Sequence, residues 1–163
     1  MRPVMRVGLG YDIHRLADGR PLVLGGIAIP HPKGLSGHSD ADVVLHAVID
    51  ALLGAAGAGD IGQHFPDTDP AYRQISSLEL LRRVRAIIEQ RGCAIANIDT
   101  TILAEEPNLS AYKPAMAKQI ETALGLPGGS VNVKAHTFEG VGLIGRGEAM
   151  AAYAVVLVQE VGR

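Results

Sequence analysis

At 163 residues the chain is long enough for one well-packed core and short for two ordinary domains. Hydrophobic residues make up 47% and charged residues 20%, a folded composition that excludes a disordered chain. Aromatics at 4%, no Trp, no Lys/Arg run and a net charge of −2 exclude a stacking platform for single strands and a duplex-binding footprint, so no nucleic-acid partner is expected. The longest apolar stretch, Met150 to Val158, is about half a membrane span and reads as a buried strand, so no membrane partner is expected. A single cysteine, Cys93, makes no internal disulfide and agrees with a reducing compartment. A strand pattern close to the start leaves no room for a targeting peptide, and a cytoplasmic location is the expectation.

In chain order, Met5 to Leu9 is a short apolar strand ending at Gly10, and Pro21 to Ile29 holds two apolar pieces around Gly25-Gly26, a hairpin signal. Val43 to Ala56 carries apolar residues at helical spacing, started by Ser39 and Asp40 and stopped by Gly57. Ser76-Ser77-Leu78-Glu79 has the form of a capping box and opens a helix through Glu89, closed by Gly92. Ala94 to Leu103 reads as a strand, and Pro114 suits the first turn of a helix from about Tyr112 to Leu124. Val131 to Ala135 alternates as a half-buried strand, and the Met150 to Val158 strand follows. Alternating strands and helices favour α/β or α+β, with helices packed on a sheet. Asp60 to Arg73 and Thr137 to Glu148 are long for connectors, which is where a small domain usually places function.

Four clusters could carry chemistry. Asp12 and His14 are spaced to share one side of an extended chain. With His46, on a helical stripe with Ile49 and Leu53, they would make an Asp-His-His set with an open position, as catalytic zinc requires. The competing reading is a buried His46 satisfied by Asp42 or Asp50. His38 and Ser39 precede the first helix, where a phosphate is a plausible guest and a plain N-cap is the alternative. Asp60-Ile61-Gly62 and Phe65-Pro66-Asp67-Thr68-Asp69 could bind sugar hydroxyls or simply form Asx turns. Glu139, in His136-Thr137-Phe138-Glu139, is a candidate ligand for a hard cation such as Mg²⁺, the alternative being a flexible loop with a surface ion pair. No dinucleotide fingerprint, P-loop lysine or G-x-S-x-G elbow is present.

Taken together, G-Y-D-I-H, H-S-D-A-D-V-V-L-H, D-A-L-L-G-A-A, D-I-G-x-x-F-P-D-T-D and the later G-R-G-E resemble the 2-C-methyl-D-erythritol 2,4-cyclodiphosphate synthase family over almost the whole chain. The resemblance implies an α/β (α+β) fold, one domain over residues 1–163 with a mixed β-sheet and helices on one face. It also implies a homotrimer whose sheets face the three-fold axis and whose active sites lie between subunits. The implied reaction converts 4-diphosphocytidyl-2-C-methyl-D-erythritol 2-phosphate to the cyclic diphosphate with release of CMP, in the non-mevalonate route to isoprenoids. The substrate's own 2-phosphate attacks the β-phosphorus, so no nucleophilic side chain is needed.

By motif, Asp12, His14 and His46 would hold Zn²⁺ and Glu139 would bind Mg²⁺ or Mn²⁺. His38, Ser39 and Thr137 would face the phosphates, with His38 and Thr137 at the reacting groups, and Ile13 would line the substrate site beside Asp12 and His14. Asp60, Ile61, Gly62, Phe65, Pro66, Asp67, Thr68 and Asp69 would surround the methylerythritol. Ala104, Glu105, Glu106, Pro107, Asn108, Leu109 and Ser110 would form the cytidine pocket, completed by His136, Thr137 and Phe138. Leu143 and Arg146 would lie near an axial cavity able to take an isoprenoid diphosphate. The sequence departs from the commonest pattern at His136, Gly140 and Leu143, where threonine, lysine and phenylalanine are usual, and at Asn108, where a lysine is usual.

Overall fold

The computed structural model describes residues 4–161; positions 1–3 and 162–163 of the expected domain lie outside the described residues. The elements are β1 (Met5–Asp18), β2 (Leu22–Leu24), β3 (Ile27–Ile29), β4 (Lys33–Leu35), α1 (Val43–Ala55), α2 (Ile61–His64), α3 (Ser77–Gln90), β5 (Cys93–Leu103), α4 (Lys113–Leu124), β6 (Val131–His136), α5 (Gly142–Gly145) and β7 (Ala149–Glu160). A 3₁₀ turn spans Pro70–Tyr72. The main sheet has the order β4-β1-β7-β5-β6, with β5 and β6 parallel across the α4 crossover and the other neighbours antiparallel. This is a single α+β domain with a mixed five-stranded sheet, and β2 and β3 form a separate hairpin.

β1 does not stop at Gly10 as expected but runs to Asp18. Gly8 and Gly10 lie where α1 crosses the strand: a Cβ on Gly8 would overlap the Ala51 carbonyl, and one on Gly10 the Ala47 carbonyl. Here glycine marks close backbone approach inside a strand rather than its end. The same crossing buries α1 almost all round, leaving His46, Asp50 and Gly54 as its less buried stripe. Ile49 and Leu53, three and seven positions after His46, flank that stripe on its buried side, and Asp50, four positions on, continues it on the less buried side. Leu45, Ile49, Leu52 and Leu53 of α1, Leu81 and Ile88 of α3, and Met116 of α4 pack with Ile98, Ile102 and Val156 of the sheet as the core. Each such leucine or isoleucine contributes about 1.5–3 kcal/mol by leaving water.

The start of α1 also differs from expectation. Asp42, not Ser39 or Asp40, is the N-cap: its carboxylate accepts from the Val44 and Leu45 amides and from Gly25 and Gly26 in the β2–β3 turn. Gly25 and Gly26 take φ of 58° and 76°, which a two-residue hairpin requires. Burial pushes the Asp42 carboxyl up to about 6, against the opposing bonds from these amides. The Ser76–Glu79 capping box is not made. Ser76 makes no side-chain cap bond, and Glu79 pairs instead with Arg82 and Arg83.

The opposite face of the sheet is open along β1 and β7 among the described residues. Val7, Leu9, Tyr11 and Ile13 of β1 and Tyr153 and Val155 of β7 alternate onto it and are exposed, Val7 by 68% and Leu9 by 65%. Tyr11 and Tyr153 rings stack there at 4.8 Å.

Candidate active site

Strand alternation puts Asp12 and His14 on the helix side of β1, and α1 brings His46 over them. Asp12 Oδ2 lies 2.9 Å from His14 Nδ1 and 3.0 Å from His46 Nδ1, and one potential ligand atom from each residue lies within 4.8 Å of the others. The two imidazole rings are tilted at 58° with centroids 5.4 Å apart. Neither Asp42 nor Asp50 satisfies His46: Asp42 caps α1, and Asp50 accepts from the Ile61 amide.

The donor set fits a metal ion. His14 Nδ1 is close to Asp12 but off the line a hydrogen bond needs, leaving it the one buried side-chain nitrogen or oxygen without a partner among the described residues. One carboxylate and two imidazoles, three-quarters or more buried, are borderline-soft ligands suited to zinc with a fourth position free. Burial alone would raise the Asp12 carboxyl, but His14 and His46 beside it bring it down to about 2. Burial alone would lower His46, and its bond to Asp12 together with the Asp12 charge raises it instead.

The phosphate-facing candidates sit beside this cluster. Arg20 donates to the Leu35 and Ser39 carbonyls at 2.7 and 3.1 Å and so braces the segment carrying His38 and Ser39. His38 is tied to the next loop through Asp69 O (3.2 Å) and the Gln74 amide (2.8 Å). A pocket of about 480 Å³ opens there, lined by Arg20, His38, Thr68, Arg73 and Gln74. Ser39 Oγ accepts from the Ala41 amide and lies 3.0 Å from His46 Nε2, so it supports the histidine. Asp60 and Asp69 cap α2 and the 3₁₀ turn through the Gln63 and Ala71 amides, as the Asx-turn alternative foresaw. Phe65 packs edge-on against Tyr72 at 5.4 Å and closes this loop on itself.

The other candidates gather at one end of the sheet, where Glu105, Glu106 and Arg146 line a pocket with Leu16 of β1. Glu105 accepts from the Phe138 and Gly140 amides at 3.0 and 3.1 Å, joining Ala104–Ser110 to the His136–Gly140 turn. Thr137 Oγ1 lies 3.3 Å from Glu139 Oε1, and Glu139 takes φ 53° at an exposed corner. Leu143 is exposed in α5, and Arg146 donates to Glu148 at 2.6 Å. Asp12 stands opposite Ala152, which stands opposite Ile102, which stands opposite Ala135. At about 4.8 Å per strand, His136 and its loop begin about 14 Å across the sheet from the Asp12 cluster.

Reading the sequence missed Arg20 altogether and gave Asp40, Asp50 and Ser77 other roles than the structure does. Their bonds span 15 to 37 positions for Arg20 and Ser77, and 11 for Asp50, so no local period announces them.

The fold and site are those of an α+β domain with a mixed sheet and a largely buried Asp-His-His cluster able to hold a metal ion. The sequence profile described as the YgbB family matches residues 5–159, and the chain belongs to that family. A relative from Syntrophobacter fumaroxidans, 2-C-methyl-D-erythritol 2,4-cyclodiphosphate synthase, is 58% identical over 159 residues, covering 98% of this chain and all of the relative. The Plasmodium falciparum IspF CDP complex superposes with a TM-score of 0.85 at 32% identity, covering 99% of this chain and 100% of that one. The bifunctional IspDF from Campylobacter jejuni gives a TM-score of 0.94 at 40% identity over 98% of this chain; this chain spans 43% of that protein.

Proposed function

We propose that the Asp12–His14–His46 cluster is the metal-holding half of the site at which this enzyme cyclises a cytidine diphosphate-linked substrate. The enzyme forms 2-C-methyl-D-erythritol 2,4-cyclodiphosphate from 4-diphosphocytidyl-2-C-methyl-D-erythritol 2-phosphate and releases CMP. The observation that carries the assignment of the site is the buried cluster itself, with its unpartnered His14 nitrogen. Asp12, His14 and His46 would hold Zn²⁺ and Glu139 would hold Mg²⁺ or Mn²⁺, and these ions would supply positive charge to the diphosphate as CMP departs.

The chain's own residues then need to fold the substrate. His38 and Ser39, braced by Arg20, present the reacting phosphates to the cluster, and Thr137 holds the departing CMP end. The methylerythritol lies along Ile13, Asp60–Gly62 and Phe65–Asp69, and the cytosine in the Ala104–Ser110 turn. Intramolecular alignment of this kind is worth about 7–11 kcal/mol when the reacting atoms are in line.

Within one chain His136 and the loop carrying Thr137 and Glu139 begin about 14 Å across the sheet from the cluster. A second copy presenting its Thr137 and Glu139 to this copy's Asp12 would complete the site. The exposed face of Val7, Leu9, Tyr11, Ile13, Tyr153 and Val155 supports a trimer with the sheets turned to the axis. Residues 1–163 act as one synthase domain in the cytoplasm, and no helix among the described residues is long and apolar enough to cross a membrane. An isoprenoid diphosphate on the axis would meet Leu143 and would compete with Glu148 for Arg146.

Incubation with the diphosphocytidyl substrate, Zn²⁺ and Mg²⁺ tests the activity by ³¹P NMR. The cyclic diphosphate and CMP are the expected products; free phosphate would make the protein a hydrolase. Sedimentation as a trimer of the 17.1 kDa chain is expected, and a monomer would overturn the shared site.

A further inference from the structure

We propose that Ser77, held by Asp40, is a positioning residue that sets the tautomer of His46 and so aims its Nδ1 lone pair at the metal. Ser77 is fully buried at the first position of α3, far in sequence from His46. Its amide donates to Asp40 Oδ2 at 3.0 Å and its hydroxyl to Asp40 Oδ1 at 2.5 Å. Asp40 thus takes the place of the unmade Ser76 cap at the head of α3. It also consumes the single proton of the Ser77 hydroxyl.

That hydroxyl lies 3.0 Å from His46 Nε2 with only lone pairs left to offer. An unprotonated Nε2 would face them in repulsion, so Nε2 carries the N–H and donates. Ser39 Oγ, also 3.0 Å from Nε2, is compatible with this because it can accept as well. The neutral ring then has its lone pair on Nδ1, the nitrogen 3.0 Å from Asp12 Oδ2. Nδ1 and Asp12 Oδ2 therefore converge on one shared positive charge, a second ring proton in the metal-free molecule and the metal ion when it is bound. The order Asp40, Ser77, His46, ion is a carboxylate–histidine support extended by one hydroxyl, and removing such outer partners weakens metal binding about 10–100-fold.

This inference rests on the metal reading, and the experiment separates the two. Zn²⁺ affinity of the full chain is measured by chelator competition, and the ring nitrogen of His46 that keeps its proton by ¹⁵N-imidazole NMR on the Zn²⁺-loaded protein. Ser77→Ala is expected to weaken Zn²⁺ about 10–100-fold with native circular dichroism. Asp40→Ala frees the Ser77 proton to point at Nε2, and is expected to shift His46 toward the Nδ1–H form and weaken Zn²⁺ in the same direction. In the wild type the Nε2–H tautomer is expected, a readout that holds even if Ser77→Ala fails to fold. An Nδ1–H tautomer in the wild type, or Zn²⁺ affinity of folded Ser77→Ala within twofold of wild type, overturns the proposal. A folded wild type that takes up no Zn²⁺ overturns the metal reading and this inference with it, whereas Zn²⁺ bound with the proton kept on Nδ1 overturns this inference alone.

Discussion

Gly10→Ala tests whether the metal cluster depends on the closeness of β1 and α1. Gly10 lies two residues before Asp12, and a Cβ there meets the Ala47 carbonyl oxygen, its carbon and the Ala51 nitrogen, all of them helix backbone. Backbone cannot rotate away as a side chain can, so the helix and strand must separate. Overpacking of this kind costs about 1–3 kcal/mol and here, against backbone, is expected at or above the upper end. Because His46 rides on α1 and Asp12 on β1, the separation opens the cluster directly, whereas metal–ligand distances tolerate only about 0.2 Å. Urea unfolding and Zn²⁺ competition should therefore show a loss of about 3 kcal/mol of stability together with at least tenfold weaker zinc. Gly54→Ala is the control on the same helix: nothing lies within 4 Å of a Cβ there. It should stabilise by about 0.8–1 kcal/mol through helix propensity, raising Tm by about 2–4 °C. If Gly10→Ala binds zinc and unfolds like the wild type, the close approach does not set the site geometry and the reasoning fails.

His46→Ala should abolish zinc retention and CMP release while leaving circular dichroism intact, since alanine suits the helix; undiminished zinc by elemental analysis would remove His46 from the ligand set. Glu139→Gln should raise the Mg²⁺ concentration needed for half-maximal rate without altering zinc affinity, and an unchanged Mg²⁺ titration would refute the role given to Glu139. In metal-free protein, Asp12 is held at about 2 against an ordinary 3.8, so its contribution is full above pH 3.8 and is lost as pH falls through 2. The amount is about 2 kcal/mol, counted once for the Asp12 and imidazole interaction, and urea titrations of wild type and Asp12→Asn across that window should converge at the acid end.

Much of the site was legible before any coordinates because its chemistry is local. Asp12 and His14 share a face by strand alternation, and that inference needs only a period of two. The hairpin at Gly25-Gly26 and the close of α3 at Gly92, which takes φ 69°, follow from what glycine alone tolerates. Gly10 misled because a glycine in a strand signals either an end or a neighbour too close for a Cβ, and the sequence does not say which. The Ser76–Glu79 pattern misled for a related reason: a better acceptor, Asp40, reached the head of α3 from 37 positions away.

The sequence by itself determined which residues could bind a metal, roughly where each strand and helix lies, and the family to which their order belongs. Those features are set by side-chain chemistry and by backbone periods that repeat within a few residues. Only the tertiary structure decided that Asp12 rather than Asp42 or Asp50 faces His46, that Asp42 ties α1 to the hairpin, and that Ser77 and Asp40 stand behind the histidine. It also decided that Glu139 and its turn lie across the sheet from the cluster. Each of these depends on which elements the core packs side by side, a choice made by burial over the whole chain and recorded in no local pattern.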